Sequence, residues 1–374
     1  MKKINIIIII VFFIMLTFPV IDMNTGITRR IENSENRNKK EFPEFHLDRL
    51  LTFPAEFDLY FSDNFGARDL MFKLYSGFKY YFLKVSPLQE KVVIGDDSWL
   101  FLGNSFNKVI DKTIGLKKLS KNELQKISEN IDSNWNALNR MGISYYIAVP
   151  PDKHSVYNDR LPYWCRTSHP DNLFKSVQAY VDSALNFKII DLKEYINEKK
   201  KDELLFFKTS SHWNQLGAFY AYQQLMKILH QDYPELKILE LGNYSIDTME
   251  VNKLDLSNIL NLNIKEETAI LNPLFTETAS LIEEPVPDFI HFDHERKDAW
   301  IRYRNPMINN LKVLIFRDSF TTAMLPYLKE SFGESLFIWD IKLSKKLIEQ
   351  EKPDIIIQII AERTIDQLSV TRIR

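Results

Sequence analysis

Behind Lys2 and Lys3 the chain opens on an almost unbroken apolar run over 4–21, where only Asn5 and Thr17 interrupt Ile, Val, Phe, Leu and Met. That length predicts a membrane-inserting helix, because roughly 17–25 residues span a bilayer whereas a signal-peptide core has about 7–15. Pro19-Val20-Ile21-Asp22-Met23-Asn24 offers no small-residue pair for a signal peptidase, which favours an uncleaved anchor over 1–22. A cleaved signal is the alternative. Arg29, Arg30, Arg37, Lys39 and Lys40 follow the run, so a plain count of basic residues would keep the body inside. The short tail headed by Lys2 and Lys3 has instead the form of a signal-anchor, and we expect the body outside the cytoplasm. Residues 23–44 turn polar and charged and read as a tether. Over 45–90, Phe57, Tyr60, Phe61, Phe65, Phe72, Tyr75, Phe78, Tyr80, Tyr81 and Phe82 recur at mostly helical steps, predicting a helical segment that packs on the main body, with an aromatic platform for sugars as the alternative.

From there on, short β-branched and aromatic runs at 92–94, 144–149, 187–192, 312–316, 335–339 and 355–360 alternate with helical patterns at 121–140 and 217–230. Strands alternating with helices predict an α/β domain over 91–374 with a partly parallel sheet. The stretch 239–297 lacks periodicity and reads as an insertion.

Charge narrows the field. The chain's 374 residues carry 48 basic against 50 acidic side chains, and a net charge of -2 offers no strong field to a nucleic-acid partner. The single cysteine, Cys165, excludes an intramolecular disulfide and a cysteine metal cluster. His291-Phe292-Asp293-His294 lacks a third histidine and a helical frame, so it reads as a loop. Neither metal nor cofactor is expected.

Two segments carry candidate chemistry. Lys312-Val313-Leu314-Ile315-Phe316-Arg317-Asp318-Ser319-Phe320 reads as a buried strand ending at a serine, with a helix after it. There Ser319 is either a helix cap or a nucleophile beside N–H groups able to hold an oxyanion. In Phe206-Phe207-Lys208-Thr209-Ser210-Ser211-His212-Trp213-Asn214-Gln215-Leu216-Gly217-Ala218, His212 is either structural or a general base shielded by Trp213. Gly95-Asp96-Asp97-Ser98 imitates the Gly-Asp-Ser of an esterase but has one residue too many. It precedes Trp99-Leu100-Phe101, a second strand, and so reads as a hairpin turn. Asn104 is a candidate oxyanion donor, and Phe320 and Arg317 are candidate cleft residues.

These two segments join Val149-Pro150-Pro151-Asp152-Lys153, the Val93-to-Phe101 opening, and Lys352-Pro353-Asp354 with Glu362-Arg363. Together the pieces resemble the AlgX/AlgJ-like SGNH-hydrolase-like proteins, also called DHHW proteins, associated with O-acetylation of exopolysaccharides. The resemblance runs over about 45–374. It implies a flavodoxin-like fold with the histidine before the serine, a Ser-His-Asp triad, a polysaccharide substrate, and a membrane-bound acyltransferase that supplies acetyl groups. Ser319 matches the nucleophile and His212 the base. The acid does not match: the family has Asp two residues before the histidine, and here that position is Ser210. Losing a triad carboxylate costs roughly four decades in rate, about 5.5 kcal/mol. Asp318, next to the nucleophile, points away by adjacency, and Asp152 has only its loop position to recommend it. The residues therefore allow an O-acetyltransferase or acetylesterase, or a catalytically impaired binding or scaffold subunit of the same machinery.

Overall fold

The computed structural model describes residues 2–28, 40–166, 172–292 and 296–373. Its contacts fall into two units, Met1–Val92 with Lys253–Ile264, and Val93–Asn252 with Lys265–Arg374.

The first unit is helical. Its opening helix, Lys2–Thr25, is long and apolar enough over Lys3–Thr25 to cross a membrane and fits an anchor. Helices Phe53–Asn64 and Arg68–Gly77 follow, the latter running on as a wider turn of helix over Phe78–Leu83. Aromatic spacing thus predicted the element type. Phe57, Phe61, Tyr75, Phe78, Tyr81 and Phe82 stand exposed.

The second unit is an α/β domain. A small hairpin pairs β1 (Val92–Ile94) with β2 (Leu100–Leu102), and Asp96–Ser98 turns between them with positive φ at Asp97 and Ser98. The acidic tetrapeptide is the turn its spacing suggested. The remaining strands are β3 (Ser144–Val149), β4 (Ile190–Asp191), β5 (Tyr244–Val251), β6 (Glu266–Pro273), β7 (Ser280–Ile282), β8 (Trp300–Arg304), β9 (Lys312–Phe316), β10 (Glu334–Ile338) and β11 (Ile355–Ile359). Seven of them form a sheet in the order β4-β3-β11-β9-β10-β8-β7, parallel from β4 to β10 and antiparallel at β8 and β7.

Burial on both faces explains why the central strands read as continuous apolar runs. On one face Tyr145, Ile147, Val149, Leu314, Phe316 and Ile356 pack with Ile127, Ile131, Val177 and Val181 of helices Lys121–Arg140 and Leu173–Ala184. Alternate residues Val313, Ile315, Ile355, Ile357 and Ile359 are buried as well. Ser120 and Glu123 form a capping box that starts the first of those helices.

The insertion at 239–297 is more regular than its sequence suggests. It holds the antiparallel hairpin β5–β6, in register from Tyr244 opposite Pro273 to Val251 opposite Glu266, and then β7. Most of β5 is exposed, so no buried face imposed an apolar alternation. β8 escaped for a related reason: its inward residue is Arg302, buried through ion pairs with Glu284, Glu334 and Glu351. The predicted strand at 187–192 shrinks to β4. The chain leaves β3 toward one edge and β9 toward the other, and ligands of such sheets lie in the crevice at the strands' carboxyl ends.

Candidate active site

Ser319 stands at that end of the sheet, just beyond β9 and before helix Thr321–Leu328. Its neighbours in the Arg-Asp-Ser-Phe turn hold it there. Asp318 turns away from the cavity and accepts the N–H groups of Phe320 at 3.0 Å and Ala361 at 2.7 Å, tying the turn to the end of β11. Burial pushes the Asp318 carboxyl above its usual range. Arg317 is also buried: it donates to Thr322 Oγ1 at 3.0 Å and to the Asp298 backbone carbonyl, so it fastens the turn to the segment before β8. Phe320 is fully buried, with its ring 5.1 Å from His212 and 4.9 Å from Trp213.

His212 comes from a tight loop closed by an antiparallel bridge between Phe206 and Trp213. The residues after it explain one another. Trp213 donates its indole N–H to the Phe320 carbonyl at 3.0 Å, which locks the histidine loop onto the serine turn. Asn214 caps helix Gln215–Asp232 by accepting the Gly217 N–H at 2.9 Å. A β-carbon at Gly217 would lie 2.2 Å from the Leu205 carbonyl oxygen, so only glycine permits this approach.

The result is a Ser–His pair: Ser319 Oγ lies 2.8 Å from His212 Nε2. On the other side of the ring, Nδ1 faces the hydroxyls of Ser211 at 3.1 Å and Ser210 at 3.5 Å. Ser210 Oγ also accepts the His212 N–H at 3.2 Å, so the residue in the acid's place holds the loop's shape. Two carboxylates considered from the sequence are engaged elsewhere. Asp318 bonds backbone N–H groups, and Asp152 pairs with Arg363.

Sequence reasoning missed how the loop is clamped. Lys153, fully buried, donates to the carbonyls of Leu100, Lys208 and Ser210 at 2.7, 2.8 and 2.9 Å. From the β6 side the Glu266 carboxylate accepts the N–H groups of Lys208 and Thr209 and the Thr209 hydroxyl. The signal was present in the Pro-Pro-Asp-Lys segment, but its partners lie far along the chain.

A cavity of about 530 Å³ opens over the pair. Ser319, His212, Ser210 and Trp213 line it, together with Tyr244, Tyr327, Trp339, Glu277, Arg296 and Asp298. Trp339 is covered by the Arg296 guanidinium at 3.6 Å and touched by Arg317 at 4.5 Å. Three of the other expected site residues do not line this cavity: Arg317 and Phe320 support it from behind, and Asn104 lies apart. Asn104 spends its amide on the start of helix Val109–Thr113, accepting from the Ile110 and Asp111 N–H groups and donating to the Asp111 carboxylate at 2.7 Å. The Phe320 N–H, taken by Asp318, is also withdrawn from oxyanion binding. In the loop 291–294, Asp293 and His294 lie outside the described residues.

The family model for the SGNH hydrolase-like domain of the acetyltransferase AlgX matches residues 92–280, half of the chain. The chain belongs to the AlgX/AlgJ-like family. The matched span contains His212 and Ser210 and ends before Ser319. Among curated proteins, the probable alginate O-acetylase AlgJ of Pseudomonas putida is 30% identical over 178 residues, 46% of this chain and 42% of the relative. The chain thus spans between about a third and two fifths of the length of the curated relatives it matches. Among solved structures, Bacillus cereus PatB1 with a sulfonyl adduct aligns at TM-score 0.55 and 20% identity, covering 75% of this chain and 99% of that one. A DHHW family protein from Eubacterium siraeum aligns at TM-score 0.50 and 15% identity, covering 75% and 95%. These two likenesses are of fold.

Proposed function

We propose that the chain is a membrane-anchored, extracytoplasmic O-acetyltransferase that modifies hydroxyls of a cell-surface or exported polysaccharide through Ser319 and His212. The observation that carries this reading is the 2.8 Å approach of Ser319 Oγ to His212 Nε2 at the floor of an aromatic and charged cavity. Ser319 Oγ attacks the carbonyl carbon of an acetyl donor while its proton passes to His212 Nε2. The protonated ring returns that proton to the donor's departing group, leaving acetyl-Ser319. A sugar hydroxyl then gives its proton to Nε2 and attacks the acetyl carbonyl, and Ser319 leaves as the hydroxyl. Water in place of the sugar makes the same machinery an acetylesterase. The Ser319 N–H has no acceptor among the described residues and supports an oxyanion at this position. The acetyl group would arrive from a membrane-bound acyltransferase, in keeping with the anchor and with the alginate O-acetylase relatives.

Ser210 favours a second reading, a polysaccharide-binding subunit of the same complex with impaired chemistry. Intact-mass analysis of the full chain after exposure to a sulfonyl fluoride or an activated acetyl ester separates the two. The sulfonyl probe is suggested by the PatB1 structure with such an adduct. A single adduct that vanishes in Ser319→Ala supports the enzyme; absence of any adduct on the parent moves the assignment to the binding subunit.

A further inference from the structure

In the helical unit, most of the exposed apolar side chains along Arg68–Leu83 fall on one stripe. Met71, Leu74, Tyr75, Phe78, Tyr81 and Phe82 each lie three or four residues from another of the set along Arg68–Leu83 and are all exposed, Leu74 at 65%, Phe78 at 53% and Phe82 at 78%. The buried positions of the same stretch are Ser76 and Tyr80, off that stripe. The preceding helix Phe53–Asn64 has no buried residue at all, although Phe57, Leu59 and Phe61 are among its exposed side chains. Twelve residues make a marginal helix in water unless an apolar face is covered.

The same unit identifies what covers it. Asp22, near the end of the apolar helix Lys3–Thr25, accepts the Ala67 N–H at 2.7 Å, immediately before helix Arg68–Gly77. It also accepts the Thr28 N–H and hydroxyl, each at 2.7 Å. A β-carbon on Gly66 would lie 1.9 Å from the Pro19 carbonyl oxygen, so the chain before Arg68 rests directly on the apolar helix. The striped helix therefore starts where the candidate span ends, at the depth of the lipid headgroups. Lys73, Lys79 and Lys84 border the stripe, with Lys79 lying over the Tyr75 ring at 5.6 Å. Aromatic side chains with lysines beside them suit the bilayer interface, where rings sink below the headgroups and ammonium groups reach anionic phosphates.

We infer that the 53–83 segment lies in the interfacial layer of the membrane that the N-terminal helix spans, with the Met71-to-Phe82 stripe seated among lipid acyl chains. The anchor and this collar then bind as one unit, and the bilayer supplies the apolar cover that the helices lack. The inference rests on the anchor and does not depend on the chemistry at Ser319.

The test uses the full chain, with no partner protein added, in nanodiscs of phosphatidylethanolamine and phosphatidylglycerol. On a Cys165→Ser background, an environment-sensitive dye is placed singly by Leu74→Cys, Phe78→Cys and Phe82→Cys, with Asp182→Cys, exposed on the other unit, as control. Circular dichroism melts matching the parent establish that each variant is folded. The expected result is a blue-shifted emission at all three stripe positions, loss of iodide quenching and strong quenching by brominated lipid, while the control keeps full iodide quenching. Iodide quenching of the stripe equal to the control would overturn the inference and leave the face for a protein partner. Protection from both quenchers would overturn it too, since the stripe would then be packed against protein.

Discussion

The ammonium of Lys153 lies 2.9 Å from the Ser210 carbonyl oxygen, two residues before the histidine that meets Ser319. Lys153 also holds the Leu100 and Lys208 carbonyls and lies over the rings of Trp99 and Phe101. A buried cation with three carbonyl partners positions the loop without touching the reacting atoms.

Replacing it tests that role. Lys153→Met keeps the side chain's length and removes the donors, leaving buried carbonyls short of partners at a stability cost on the order of 3 kcal/mol. Displacing the histidine by a fraction of an ångström should slow acylation of Ser319 by roughly tenfold to a hundredfold. The check is the rate of adduct formation by intact mass, measured well below the variant's melting temperature. An unchanged rate in a destabilised Lys153→Met protein would reduce Lys153 to a purely structural residue.

Ser210→Asp restores a carboxylate at a position whose present hydroxyl is 3.5 Å from His212 Nδ1. An anion there stabilises the imidazolium that forms as Ser319 loses its proton, and the same group is worth about four decades in hydrolases built around it. We expect at least about a tenfold gain in the rate of Ser319 acylation, read with the same probe. A loss of rate would show that the serine hydroxyls, as they stand, are what orient the ring.

The strand-serine-helix turn and the histidine before a capped helix were legible because each is local: an apolar run, a hydroxyl at its end, an Asn and a Gly at a helix start. Lys153 and Glu266 were not, because a clamp made of backbone carbonyls and N–H groups leaves no mark on the residues it holds. The hairpin β5–β6 was hidden by exposure, and β8 by an arginine facing inward through ion pairs. Asn104 misled for the opposite reason, since an amide that reads as a cleft donor is equally suited to cap the short helix after it. In the aromatic-rich segment, periodicity of the sequence marks apolar positions on helices but carries no information on the medium that covers them.

His154 gives a prediction in pH. Burial lowers its pKa from the ordinary 6.5 to about 4, and one ring nitrogen, Nε2, bonds the Leu102 carbonyl at 2.9 Å. The unfolded chain therefore binds this proton more readily than the folded one. The stabilising contribution is full above pH 6.5 and lost as pH falls toward 4, a change of about 3 kcal/mol. Burial raises the carboxyls of Asp318 and Glu362, which acts in the opposite sense, so the measurement is the difference between parent and His154→Gln. Urea unfolding across that range should show the parent losing stability relative to the variant as pH falls. Parallel curves would mean that His154 is protonated in the fold or hydrated before it unfolds.

Trp339 separates sugar binding from acyl chemistry. It lines the cavity without being within the Ser319–His212 pair, and Arg296 covers its ring at 3.6 Å. An indole edge beside a stacked guanidinium gives an acceptor sugar an apolar edge next to hydrogen-bond donors, the kind of wall that orients a carbohydrate. Trp339→Ala should leave the rate of adduct formation with a small activated acetyl ester near the parent's. The same variant should raise KM for an oligosaccharide acceptor about tenfold, equivalent to about 1.4 kcal/mol of binding. Because Arg317 also touches this ring at 4.5 Å, Trp339→Phe serves as the control that keeps an aromatic cover over it. Equal losses toward the small ester and the oligosaccharide in Trp339→Ala, with recovery of both in Trp339→Phe, would assign Trp339 to the support of the Arg317 turn and remove it from the acceptor site.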